Sequence, residues 1–80
     1  MYYAYILESL RDHTYYYGST ENITKRLKVH NSGKVRYTKG HKPYALHYYE
    51  IYYTREEAFR RERFFKSIDG YIWLKSQNII

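Results

Sequence analysis

The 80-residue chain sets 14 Lys and Arg against 8 Asp and Glu, a formal net charge of +6, and it holds 13 tyrosines and no cysteine. A chain this short makes a single domain, residues 1–80, whose thin core must hold without a disulfide framework or a thiolate metal site. No apolar run approaches the length of a membrane span, and the N-terminus lacks the basic-then-apolar layout of a secretory signal, so the sequence reads as a soluble cytoplasmic protein.

Residues 2–8 combine Tyr, Ile and Leu with no helix-start signal, and residues 14–18 again favour β structure. LRDH between them reads as the connection of an antiparallel hairpin. Side chains alternate along a strand, so Tyr5 and Tyr16 share a face if they are opposed or offset by an even number of residues. Tyr15 and Tyr17 then take the other face as packing residues. Most of the 13 tyrosines are expected to serve the core in this way, burying a ring while the hydroxyl stays wet or finds a partner.

Ser19 or Thr20 is placed to cap a first helix, Ile23 and Leu27 give it an apolar stripe, and Gly33 is a plausible stop. Asn22, Arg26 and His30 recur every four residues and form a polar row along it. SGKVRYTKGHKP reads as a Gly- and Lys-rich loop, too polar for a core element. YALHYYEIYY after Pro43 reads as the third strand. Thr54 and Glu57 have capping-box spacing, so a second helix is expected to carry REEAFRRERFFKSI from Arg55, with Asp69 and Gly70 interrupting it before a short closing helix, YIWLKSQ. The fold class is therefore α+β, a three-stranded antiparallel sheet flanked by helices in the order β-β-α-β-α-α.

Two features point to function. From Asn22 to Tyr49 the chain has no acidic residue, while Lys25, Arg26, Lys28, Lys34, Arg36, Lys39 and Lys42 supply half of its Lys and Arg. Charge so distributed suits a polyanion such as nucleic acid, although a basic run is also an ordinary solvated face. The second feature is Glu62, which falls within the apolar stripe of Ala58, Phe65 and Ile68. A carboxylate on a core face is costly unless it is paired, hydrogen-bonded or bound to a cation. Either Lys66, at i,i+4, pairs with it structurally, or Glu62 is a functional acid.

Taken together, Tyr3-Ala4-Tyr5, Tyr16-Tyr17-Gly18, Arg26 with His30 one turn later, and Glu62 in AFRRERFFK resemble the ordered motifs of the GIY-YIG nuclease family. Tyr3 stands where that family usually has Gly, and Ala4 where it has Ile or Val. The resemblance spans essentially the whole chain and implies a metal-dependent endonuclease that hydrolyses phosphodiester bonds in DNA. By the resemblance, Glu62 is the sole protein ligand of one divalent ion, Mg²⁺ or Mn²⁺, and Arg26 binds phosphate. Tyr5 is the general base and Tyr16 its partner in orienting the phosphate.

Gly18, His30, Lys34, Arg36, Lys39 and Lys66 are expected to face nucleic acid. For Gly18 the alternative is a simple strand end; for His30, support of a tyrosine hydroxyl or an idle surface position; for Lys66, a structural contact. The rival reading of the whole chain is a binding module of the same fold that does not cut. A third is a protein-interaction domain.

Overall fold

The computed structural model describes residues 1–80. Strands β1 (Tyr2–Ser9) and β2 (Tyr15–Thr20) form the expected hairpin, followed by α1 (Ile23–Asn31), β3 (Tyr44–Tyr52), α2 (Arg55–Phe65) and α3 (Ile68–Ser76). The sheet order is β2-β1-β3, antiparallel throughout, so the most apolar strand lies in the centre, flanked on both sides. The order β-β-α-β-α-α is the one the sequence implies.

Alternation along β1 divides the molecule into two cores. Ala4 and Ile6 face α2 and α3, where they meet Phe65 and Leu74, with Tyr15 and Tyr17 packed around them. Tyr5 and Leu7 face the opposite way and meet Tyr44, Tyr16, and the Ile23 and Leu27 stripe of α1. The central strand is thus buried on both sides, and each fully buried Leu, Ile or Phe contributes about 1.5–3 kcal/mol.

Helix boundaries depart from the sequence reading in two places. β2 runs on through Ser19 and Thr20, and Asn22 caps α1 instead, its side chain accepting from the Lys25 amide at 3.0 Å. Strand pairing of Ser19 with Ala4 and Thr20 with Tyr3 outcompetes the local capping preference of the two hydroxyls. Gly33, at φ +81, follows the end of α1 in the left-handed region open to glycine.

The capping box of Thr54 and Glu57 starts α2 as expected, but α2 ends at Phe65. Ser67 caps α3 three residues ahead of Gly70, so Asp69 and Gly70 lie inside α3 and do not break a helix. Ile68 consequently leaves the α2 stripe and is exposed on α3. Gly70 is needed at this place because a Cβ there would run into the Phe64 carbonyl, so only glycine lets α3 start this close to the end of α2.

Glu50 ties β3 to α2. Burial would raise its pKa, but Arg61 and the hydroxyls of Tyr48 and Tyr52 hold it below the ordinary carboxylate value. Arg61 donates through Nε at 2.8 Å and Nη2 at 3.3 Å, and its guanidinium lies 4.5 Å from the centres of both the Phe64 and Trp73 rings.

Candidate active site

Tyr5 pairs with Gly18 across the hairpin and Leu7 pairs with Tyr16, an offset of two residues that puts Tyr5 and Tyr16 on the same face. Their ring centres are 6.5 Å apart. The Tyr5 ring reaches across β2 directly over Gly18, where a Cβ would overlap the phenol. Gly18 is therefore neither a simple strand end nor an open contact for substrate. It is buried, and it makes room for Tyr5.

Beneath the two tyrosines lies His30, fully buried despite its place in a polar row. Its Nε2 is 3.1 Å from the Tyr5 hydroxyl and its Nδ1 is 3.0 Å from Thr38 Oγ1. Thr38 in turn donates to the Val35 carbonyl at 3.3 Å. With that hydroxyl proton committed, Thr38 accepts from Nδ1–H, leaving the Nε2 lone pair to accept from Tyr5. Of the roles open to His30 in the sequence, its position matches support of a tyrosine hydroxyl and not an exposed phosphate contact.

Burial pushes the Tyr5 hydroxyl up to about 12, Tyr16 and Glu62 push the same way, and the Arg26 guanidinium opposes them. His30 is lowered to about 4, by burial first and then by Arg26. Both groups are consequently neutral near pH 7.

Arg26 and Glu62 come from opposite layers of the fold and meet in one cleft of about 750 Å³, walled by Ser19 and Thr20 of β2 and by Arg55, Ala58 and Phe59 of α2. Arg26 takes no part in the ion pairs of the chain. Glu62 has its side chain only 14% exposed and is held at both oxygens: Ser19 donates to Oε1 at 2.7 Å, and Lys66 Nζ approaches Oε2 at 2.8 Å. The Glu62–Lys66 pair anticipated from the sequence is therefore present, yet the carboxylate also opens on the cleft that holds Arg26.

No three His, Cys, Asp or Glu side chains gather as a metal cage, so Zn²⁺-type coordination has no basis here. A single carboxylate on an open cleft fits Mg²⁺, which keeps several waters and takes oxygens from phosphate. The half-exposed Lys66 ammonium has solvent into which to swing if an ion takes its place at Oε2.

Lys34, Arg36 and Lys39 are exposed on the loop between α1 and β3, as their sequence context implies. The same loop sends Thr38 into the core, a buried position that no periodicity in a Gly- and Lys-rich stretch could reveal. Arg55 and Ser19 were also missed. For Ser19 a signal exists: strand alternation puts it opposite Gly18, on the side where α2 carries Glu62.

The family model for the GIY-YIG catalytic domain matches residues 1–69. The chain belongs to the GIY-YIG family. A UPF0213 protein of Bacillus licheniformis is 48% identical over 67 residues, covering 82% of this chain and 68% of that protein. One from Clostridium perfringens is 41% identical over 69 residues, covering 85% and 73%. The solution NMR structure of a UPF0213 protein from Bacillus halodurans superposes with a TM-score of 0.55 at 37% identity, covering 96% of this chain and 85% of that one. No helix is long and apolar enough to cross a membrane.

Proposed function

We propose that this GIY-YIG protein is a divalent-metal-dependent endonuclease that hydrolyses phosphodiester bonds in DNA. The observation that carries the reading is the meeting of Arg26 and Glu62 in one cleft, with the buried Tyr5 hydroxyl, hydrogen-bonded to His30, close enough for both charges to act on it. A Mg²⁺ or Mn²⁺ ion held by Glu62 would polarise a phosphate oxygen and supply a metal-bound water. Ser19 fixes the carboxylate rotamer, and Arg26 presents a planar fork of donors to the remaining phosphate oxygens.

Tyr5 is the base, but not as a preformed phenolate. With its pKa near 12, ionising it at pH 7 costs about 7 kcal/mol. The hydrogen bond to His30 offers another route: as Tyr5 takes a proton from the attacking water, it passes its own to Nε2. The water oxygen forms the new P–O bond, and the bond to the leaving oxygen breaks with its electron pair staying on that oxygen, which takes a proton from solvent. Burial and Arg26 both disfavour imidazolium in the free protein, and a phosphate seated on Arg26 removes the second of these effects. Tyr16, its ring tilted against His30 with centres 4.6 Å apart, shields this exchange on its outer side and orients the phosphate. Lys34, Arg36 and Lys39 draw the polyanion in.

Labelled single-stranded, duplex and branched DNA, with RNA counterparts, incubated with Mg²⁺ or Mn²⁺ test the reading. Cleavage of at least one DNA substrate, suppressed by Tyr5→Phe, is expected. Binding without cleavage under either ion would leave the non-cutting module as the function.

A further inference from the structure

We propose that Tyr37 is a stacking platform for an unpaired nucleobase next to the phosphate being cut, so that the protein acts on single-stranded or locally opened nucleic acid. The inference rests on the nuclease reading for the position of the phosphate but not for the binding itself. Tyr37 is 68% exposed, and its ring makes tilted contacts with Tyr16, centre to centre 5.8 Å, and with His41, 6.1 Å. It therefore extends outward a chain of tilted ring contacts that begins at His30 and continues through Tyr16.

A lone exposed tyrosine is common on protein surfaces. What distinguishes Tyr37 is that the loop holding it is fastened on both sides. Thr38, the next residue, is fully buried and bonded to His30, and the Lys39 amide bonds the Val35 carbonyl at 3.0 Å. Beyond it, Arg11 donates to the Gly40 carbonyl at 3.2 Å, Ser9 to the His41 carbonyl, and His41 Nδ1 meets Asp12 Oδ2 at 2.6 Å. A chain fixed at residues 38–41 holds the ring out at little further ordering cost on binding.

The surroundings specify the ligand. Lys34, Arg36, Lys39 and Lys42 flank Tyr37 along the chain, all exposed, within a stretch free of acids. Cations along a backbone path interleaved with an aromatic face are what single-strand binding requires, since every base has a π face and every linkage a charge. In a duplex the base faces are hidden in the stack, so a flat ring can meet only a base that is unpaired or swung out.

The test uses the full chain without metal, so that binding is read apart from cleavage, and a labelled thymidine oligonucleotide of about 12 nucleotides. Tyr37→Ala and Tyr37→Leu should each weaken its binding about tenfold or more, while Tyr37→Phe and Tyr37→Trp retain it. Moving one abasic site along the oligonucleotide should reveal a position where the wild type loses a similar factor and Tyr37→Ala loses nothing further. Unchanged binding in Tyr37→Ala, equal loss in Tyr37→Phe, or wild-type binding indifferent to every abasic position would each overturn the proposal. Tyr37-dependent binding by a protein that cuts nothing would remove the nuclease reading and leave this one standing. Cleavage indifferent to Tyr37, with binding equally indifferent, would do the reverse.

Discussion

Gly18→Ala adds one methyl group to the most constrained contact in the site. Its Cβ would overlap the Tyr5 hydroxyl and Cζ and lie 2.9 Å from Cε1. β1 is hydrogen-bonded on both sides and held in place, so the Tyr5 ring swings away and gives up its 3.1 Å bond to His30. Overpacking of this kind costs about 1–3 kcal/mol and the lost hydrogen bond about 1 kcal/mol, while replacing a strand glycine by alanine returns roughly 0.5–1 kcal/mol. The net loss is about 2 kcal/mol, a fall in Tm of about 8–16 °C for a domain of this size.

Tyr5→Ala removes the obstacle, and in that background the same methyl should be neutral or stabilising by up to about 1 kcal/mol. Denaturant unfolding of the wild type, both single variants and the double variant gives the coupling between the two positions. An equal loss from Gly18→Ala in both backgrounds would show that the ring does not lie over Gly18, and the proposed position of the base would fall with it.

Three further perturbations probe the fold and its charge. The lowered pKa of His30 means that between about 4 and 6.5 the unfolded chain binds more protons, so stability falls as pH drops through that window, by on the order of 3 kcal/mol in total. His30→Gln should flatten the curve relative to wild type, and parallel curves would contradict the assignment. Arg61→Ala strips Glu50 of its two guanidinium bonds and should cost about 2 kcal/mol or more in urea unfolding, with Arg61→Lys recovering only part; a change below about 0.5 kcal/mol would show the pair to be idle. Replacing Lys34, Arg36 and Lys39 with Ala should flatten the slope of log binding constant against log salt by up to about 2.7, and an unchanged slope would move the contact surface elsewhere.

The strands and their succession along the chain were legible from β-favouring runs and short connections, whereas the shared face of Tyr5 and Tyr16 hung on a register that only the strand pairing fixes. Helix limits were less so. Ser19 and Thr20 look like caps in sequence, yet pairing with β1 claims them; Gly70 looks like a breaker, yet it sits inside α3 where two backbones come close. At the site, the ordered motif residues were all identified as candidates. What connects them was not visible: the burial of His30, the Thr38 contact from a loop eight residues further on, and the Ser19 bond to Glu62 across 43 residues of chain are products of tertiary packing alone.

Glu62→Gln separates a cation-holding role of this carboxylate from a structural one. The amide oxygen can still accept from Ser19, while the charge that would hold a cation and pairs with Lys66 is removed. Because the Lys66 side chain is half exposed, losing that pair should cost well under about 1 kcal/mol. DNA cleavage with Mg²⁺, DNA binding and Tm should therefore be measured together on the wild type and this variant. Cleavage should be abolished, binding retained, and Tm lowered by no more than a few degrees. Cleavage at the wild-type rate combined with a large fall in Tm would show that Glu62 is a structural partner of Lys66 and not the seat of a catalytic ion.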